Sequence, residues 1–305
     1  MNVPTGLVPS CLIPEVYAAW KDEPGFVAGQ VERIAAEGFY GSVELSPVEA
    51  RADRDRIRRV CAEHSVFVAV WLTSVLEREG LDFCAVDEAS RRDAVEAVKR
   101  LLPAALECGA GTVALVGGSD PGPALRERGY ESCRRSLIEI AAEAANLGAS
   151  VMMEPLDRYA HKKRLVGPTD ETVALFARVR AEQPDFGFAF DTAHAALNGE
   201  EVSDAIALAG DQVVNLHLSN AVLDPQDPLY GDHHMMPGPP GFLTLRKAAE
   251  IIVQTGRLGD RLGRGIRIAM EARAPLAEDP QFTARLAHDF LVAALKQAET
   301  IGAAH

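Results

Sequence analysis

The sequence predicts an α/β fold, a (β/α)8 TIM barrel built as a single domain over residues 1–305. Three observations carry this. Short apolar runs alternate with longer amphipathic segments eight times along the chain. The runs are apolar almost throughout, as parallel strands covered on both faces are. No Gly-x-Gly-x-x-Gly follows the first run, so the phosphate-binding turn of an open doubly wound sheet is missing. The length agrees, because one α/β barrel ordinarily takes about 250 residues or more.

Strands are expected at 7–12, 41–45, 66–72, 112–116, 150–153, 186–190, 213–218 and 266–270. Over 26–37, Val27, Val31, Ile34 and Ala35 share one helical stripe, and Gly38 stands where that helix should stop. Ser90 is expected to cap the next clear helix, where Val95, Val98, Leu102 and Leu106 recur at helical spacing and Pro103 predicts a kink. Residues 130–147 repeat the scheme with Leu137, Ala141 and Ala144, and Gly148 closes it. Thr169 then caps a helix with Asp170 and Glu171 in its first turn and Val173, Phe176 and Val179 on its apolar face. One connection breaks the rhythm. Between the seventh strand and its helix lies the long loop 219–242, SNAVLDPQDPLYGDHHMMPGPPGF, and a loop of that length in a compact domain is usually functional or disordered. Its Tyr230, His233, His234 and paired methionines favour function.

Bulk properties exclude several classes. A formal net charge of −13 argues against a nucleic-acid surface. No apolar run approaches the roughly 20 residues of a membrane span, and the N-terminus lacks a basic start and a continuous apolar core, so a cytoplasmic protein without a membrane partner is expected. Five scattered cysteines contain no Cys-x-x-Cys pair, which suggests neither a disulfide framework nor a thiolate metal site.

The ends of the strands carry the chemistry. VMME ends in Glu154, FGFAFD in Asp191, VVNLHLS carries His217 near its end, and IRIAME ends in Glu271. Singly, each reads equally well as a cap or an ion-pair partner. In a barrel, however, the loops after the strands form the active face, so the four converge. Three carboxylates in one mouth repel each other unless a cation or basic side chains neutralise them, and a divalent metal is the simplest neutraliser. Three oxygen ligands and one imidazole suit Mn2+, Mg2+ or Co2+ with open positions better than a closed structural zinc site.

These residues sit in motifs. EPLDRYA at 154–160, DTAH at 191–194, HLSN at 217–220 and AMEA at 269–272 occur in an order that resembles the xylose-isomerase-like superfamily of sugar isomerases and epimerases, including ketose 3-epimerases and inosose dehydratase, over essentially the whole chain. The resemblance implies one divalent ion held by Glu154, Asp191, His217 and Glu271, Mn2+ first, Mg2+ or Co2+ as alternatives and Zn2+ below them. It implies Glu154 and Glu271 as acid and base on opposite faces of a sugar. Arg158, Lys162, His194, Asp232 and His234 are the expected substrate-binding residues, with Arg158 orienting Glu154 or pairing with Asp157. Glu44, at the end of the second strand, either backs this set or is a surface acid.

The chain also departs from the epimerases. Ala160 stands where they carry a second acid after Arg-Tyr, and His161, Lys162 and Lys163 follow. KKRLVGP and DPLYGDHH resemble the α-subunits of C-glycoside deglycosidases, which implies an elimination from a 3-oxo C-glycoside, with His161 as general base. The partner expectations are a small sugar or glycoside and either a small β-subunit or a homo-oligomer, with no nucleic acid. An endonuclease IV-like site ranks lower, because it needs two further histidines where this chain reads LTS at 72–74 and GGSD at 117–120.

Overall fold

The computed structural model describes residues 3–273 and 279–303. Strands β1 (Leu7–Leu12), β2 (Ser42–Leu45), β3 (Phe67–Trp71), β4 (Thr112–Val116), β5 (Ser150–Glu154), β6 (Gly187–Asp191), β7 (Val213–Val222) and β9 (Ile266–Glu271) are joined in parallel. The ring closes because β6 also pairs β7 and β9 lies between β7 and β1. The predicted barrel is therefore the observed one. Around it pack α1 (Ile13–Val16), α2 (Phe26–Glu37), α3 (Arg51–His64), α4 (Thr73–Glu79), α5 (Glu88–Glu107), α6 (Arg126–Asn146), α7 (Thr169–Arg180), α8 (Thr192–Leu197), α9 (Val202–Ala209), α10 (Leu245–Leu262) and α11 (Gln281–Ala303). Among the described residues no helix is long and apolar enough to cross a membrane.

The main core lies between strands and helices. Val43, Val68, Val113 and Val151 point outward from the barrel, and Val31, Ile57, Val98 and Leu137 meet them from the helices. Inside the barrel a smaller cluster contains Leu12, Trp71 and Met152 together with Ala69, Ala114, Ala189 and Ala269. Those alanines matter for the site. Small side chains on β3, β4, β6 and β9 leave interior room that a layer of branched residues would fill, and polar groups occupy it. One close approach also requires glycine. A Cβ on Gly259 of α10 would lie 2.1 Å from the Gly6 carbonyl, so bare backbone lets that helix settle at the foot of β1.

Several local expectations are corrected. The cap of α5 is Asp87, whose carboxylate accepts the Ser90 N–H at 2.9 Å; Ser90 already lies inside the helix. The helix expected to kink at Pro103 is one element, α5, running through Pro103 to Glu107, with Leu102 and Ala105 buried on either side. Thr169 is the first helical residue of α7, and its N–H and hydroxyl both bond to Glu200, at 2.7 and 2.6 Å.

The long loop is a hairpin for half its length. β7 runs on to Val222, and β8 (Gly231–Met235) folds back antiparallel, placing Asp232 opposite Ala221. Asn220 holds the return. Its amide donates to Met236 and Gly238 carbonyls at 3.0 and 3.1 Å and accepts the Leu243 N–H at 2.9 Å. The polar composition hid a strand: its partners Asn220, Ala221 and Val222 on β7 are buried, but β8 itself carries Asp232, an exposed His233 and His234 where an apolar run would mark a strand.

Candidate metal centre

Parallel register sets the heights of the four proposed ligands. Glu154 pairs with Val116, Asp191 with His217, and Ser219 of β7 with Glu271, so all four stand at the C-terminal rim. One ligand atom from each of Glu154, Asp191, His217 and Glu271 lies within 4.8 Å of the others, and all four residues are buried. His217 is central. Its Nδ1 is 3.0 Å from Glu271 Oε2 and 3.3 Å from Glu154 Oε1. Its Nε2 donates to Glu44 Oε2 at 3.0 Å.

Glu44 is thereby resolved. It is 0% exposed, and the same oxygen accepts Trp71 Nε1–H at 2.8 Å and Asn215 Nδ2–H at 3.3 Å. A carboxylate on the far nitrogen fixes the orientation of an imidazole ligand and raises its basicity. Burial pushes the Glu44 carboxyl up, yet the facing His217 and the hydrogen bonds outweigh it and leave the net shift downward.

Burial raises Glu154 and raises Asp191 well above the usual carboxylate range. Burial acts the same way on Glu271, but the charges of His234 and His217 overcome it and carry that group well below the range. Burial works against a charged His217, and Glu44 and Glu271 reverse it, driving its pKa well up. Asp191 Oδ2 is buried with no hydrogen-bond partner, and Glu271 Oε2, although close to His217 Nδ1, has no aligned donor. Buried carboxylate oxygens left in this state are costly unless a cation or donor meets them. The donor set fits a divalent ion of the kind that accepts mixed oxygen and imidazole ligands.

Above the cluster is a cavity of about 480 Å³. Of the residues predicted for the site, Glu154, His161, Lys162, His194, His217, Asp232, His234 and Glu271 line it. Asp191 lies buried among the ligands, where its Oδ1 accepts the His194 N–H at 2.9 Å and caps α8. His194 is held by Asp157 Oδ2, 3.2 Å from its Nδ1, with Asp232 Oδ2 3.7 Å from Nε2. Burial disfavours its charge, but Asp191, Asp157 and Asp232 raise its pKa to about 9. Lys162 Nζ is 3.1 Å from Asp232 Oδ2. His234 Nδ1 lies 2.9 Å from Glu271 Oε1 and 3.2 Å from Glu15 Oε2, which outweigh burial and bring its pKa to about 9. His161 is exposed at the mouth, its ring centroid 4.8 Å from that of His233, and burial, Lys162 and His233 lower its pKa.

Arg158 is the correction. Its guanidinium turns away from the cavity and pairs with Glu171 at 2.8 and 2.9 Å, while also donating to Tyr130 Oη and the Leu165 carbonyl. It pairs with neither Glu154 nor Asp157; it braces the loop after β5 against α6 and α7. Asp157 instead holds His194 and accepts the backbone N–H groups of His161 and Lys162. Sequence reasoning missed Glu15, Trp71 and Arg273 in the lining. Glu15 and Arg273 follow closely after β1 and β9, the position from which a barrel builds its active face.

Fold and site together define a closed parallel barrel with a carboxylate–imidazole centre at the C-terminal rim. Residues 31–292 match the family model described as Xylose isomerase-like TIM barrel, and the chain belongs to that family. No curated protein matches the sequence. Solved structures do share the fold. D-psicose 3-epimerase from Clostridium cellulolyticum H10, solved with D-tagatose, is 14% identical with a TM-score of 0.69, covering 97% of this chain and 99% of its own. L-ribulose 3-epimerase is 16% identical with a TM-score of 0.71, covering 96% of each chain. The IOLI protein with a bound zinc atom is 14% identical with a TM-score of 0.72, covering 96% of this chain and 99% of its own. At these identities the likeness is one of fold.

Proposed function

We propose that this chain is a divalent-metal-dependent enzyme that moves a proton at the carbon beside the carbonyl of a keto sugar, in the manner of sugar isomerases and epimerases. The observation that carries the reading is the convergence of Glu154, Asp191, His217 and Glu271 within 4.8 Å, backed by a buried Glu44. Those four residues would hold the ion, with Mn2+ ranked before Mg2+ and Co2+, and Zn2+ last. When bound, the ion supplies Lewis-acid polarisation of a carbonyl oxygen.

The protein supplies the proton chemistry. Glu154 and Glu271 flank His217 Nδ1 from two sides, at 3.3 and 3.0 Å, so one carboxylate can take a proton from one face of a bound carbon while the other returns one to the opposite face. His194, tethered by Asp157, presents Nε2 towards the cavity beside Asp232, where a substrate hydroxyl would find both a donor and an acceptor. Lys162 and His234 complete that polar wall.

The test is solvent exchange. Incubation with a panel of ketoses in deuterium oxide and Mn2+ should place deuterium on carbon, and Glu154→Gln or Glu271→Gln should slow this by about 10²–10⁴-fold. A panel with no exchange in any carbon position refutes the proposal. A second reading, elimination from a 3-oxo C-glycoside, is favoured by His161, which lines the mouth of the cavity and whose lowered pKa keeps the imidazole neutral at pH 7, with a nitrogen lone pair free to take a proton. It predicts that His161→Ala removes elimination while ketose exchange persists, and that a small β-subunit copurifies.

A further inference from the structure

We propose that the cavity above the metal centre continues into a second subsite that takes a hydroxylated ring, so that the substrate is a keto disaccharide or similar glycoside and not a free hexose. This rests on the sugar reading above. Beside the main cavity lies a second hollow of about 290 Å³, and the two share Thr73, Glu77 and Val116 as walls. Its floor is bare backbone at the end of β4. A Cβ on Gly117 would lie 2.6 Å from Met153 Cε, and one on Gly118 would lie 1.8 Å from Asp82 Oδ1. The far wall is closed by Arg164, which bridges to Ser119.

Two polar atoms here have no use within the protein. Thr73 Oγ1 and Arg164 Nε are buried and lack any hydrogen-bond partner. Buried donors and acceptors are nearly always met, so both residues carry hydrogen-bonding capacity that the fold does not use. Neither residue touches the metal ligands, and the proton chemistry leaves both unexplained.

The lining selects the kind of ligand. Arg164 is paired with Glu77, and Asp82 also lines the hollow, its carboxyl raised by burial. The acids offset the arginine, so the hollow offers no net positive charge to a phosphate or a carboxylate. It offers instead alternating donors and acceptors beside the apolar faces of Leu76, Val116 and Phe83. A sugar ring, with hydroxyls at its edge and C–H groups on its faces, matches that mixture.

Titration calorimetry of the Mn2+-loaded protein tests this with D-fructose against its keto disaccharides turanose, maltulose and isomaltulose. At least one disaccharide should bind about tenfold or more tighter than fructose. Ser119→Trp, which fills the hollow, and Arg164→Met, which removes its donor, should each cut that advantage to about twofold or less. The subsite is overturned if no disaccharide exceeds fructose, if the advantage survives both substitutions, or if fructose 6-phosphate gains as much as the best disaccharide. Binding is read without turnover. A chain that prefers the disaccharide but exchanges no carbon-bound proton refutes the proton-transfer reading and leaves the subsite standing.

Discussion

At the scale of single residues, position behind the ligands decides more than type. Glu44 and Arg158 are both buried charges near the rim, yet one serves the site and the other the scaffold. Glu44→Gln keeps an acceptor for Trp71 and Asn215 but loses the carboxylate on His217 Nε2. Mn2+ affinity should fall by about 10–100-fold in calorimetry, and an unchanged affinity would show that Glu44 does not hold the imidazole. Arg158→Ala should do the opposite. Removing its bonds to Glu171, Tyr130 and Leu165 should lower unfolding free energy in urea by about 1–3 kcal/mol, discounted because Glu171 is 40% exposed, while sugar affinity stays near wild type. A large loss of affinity with intact stability would return Arg158 to the binding site. The sequence placed Arg158 after Glu154 and invited the functional reading; its partner on α7 is set by how the loop folds back.

At the scale of elements, the helices are tied together by arginine bridges that local patterns do not reveal. Glu88, in the first turn of α5, accepts from Arg91 and Arg92 of its own helix and from Arg135 of α6. Arg91 continues the bridge to Ser136 and Glu139 at 3.0 and 2.9 Å. The Arg91 hydrogen bonds, chiefly, lower the Glu88 carboxyl from 4.5 to about 2. A depressed carboxylate contributes stability that is present above the unfolded pKa and lost as pH falls through the folded one. The stability difference between wild type and Glu88→Gln should therefore be constant above about pH 5 and shrink between pH 4.5 and 2. A difference that grows on acidification would disprove the assignment. The hairpin of β7 and β8 makes the same point. Its residues look like loop, but pairing to a neighbour already in the barrel gives β8 an ordered edge, and Asp232 and His234 come to the site from it.

At the scale of the whole molecule, barrel closure brings together side chains far apart in the chain, 173 residues in the Glu44–His217 bond and 258 in the Arg273–Glu15 pair. If the four carboxylate and imidazole ligands are preorganised by that closure, Mn2+ binds the folded state and not the unfolded chain. At a hundredfold excess over its dissociation constant the ion should then stabilise folding by about 2.7 kcal/mol, seen as a rise in Tm that EDTA reverses and Asp191→Ala removes. No shift in Tm would mean that the cluster does not bind the ion. The eight barrel strands and the four clustered polar residues at their ends were legible in the sequence because both are local patterns: an apolar run marks a buried strand, and a polar residue ending it marks the rim. The same reasoning could not reach the residues defined by what lies opposite them. SVEL, buried on both faces, does not say that Glu44 points inward to His217, and RYAHKKR does not say that Arg158 turns outward to Glu171. Run and period determined which elements form and what their ends carry. Closure of the ring alone decided which of those groups meet, because each such contact joins strands or loops whose separation along the chain carries no information about their distance in space.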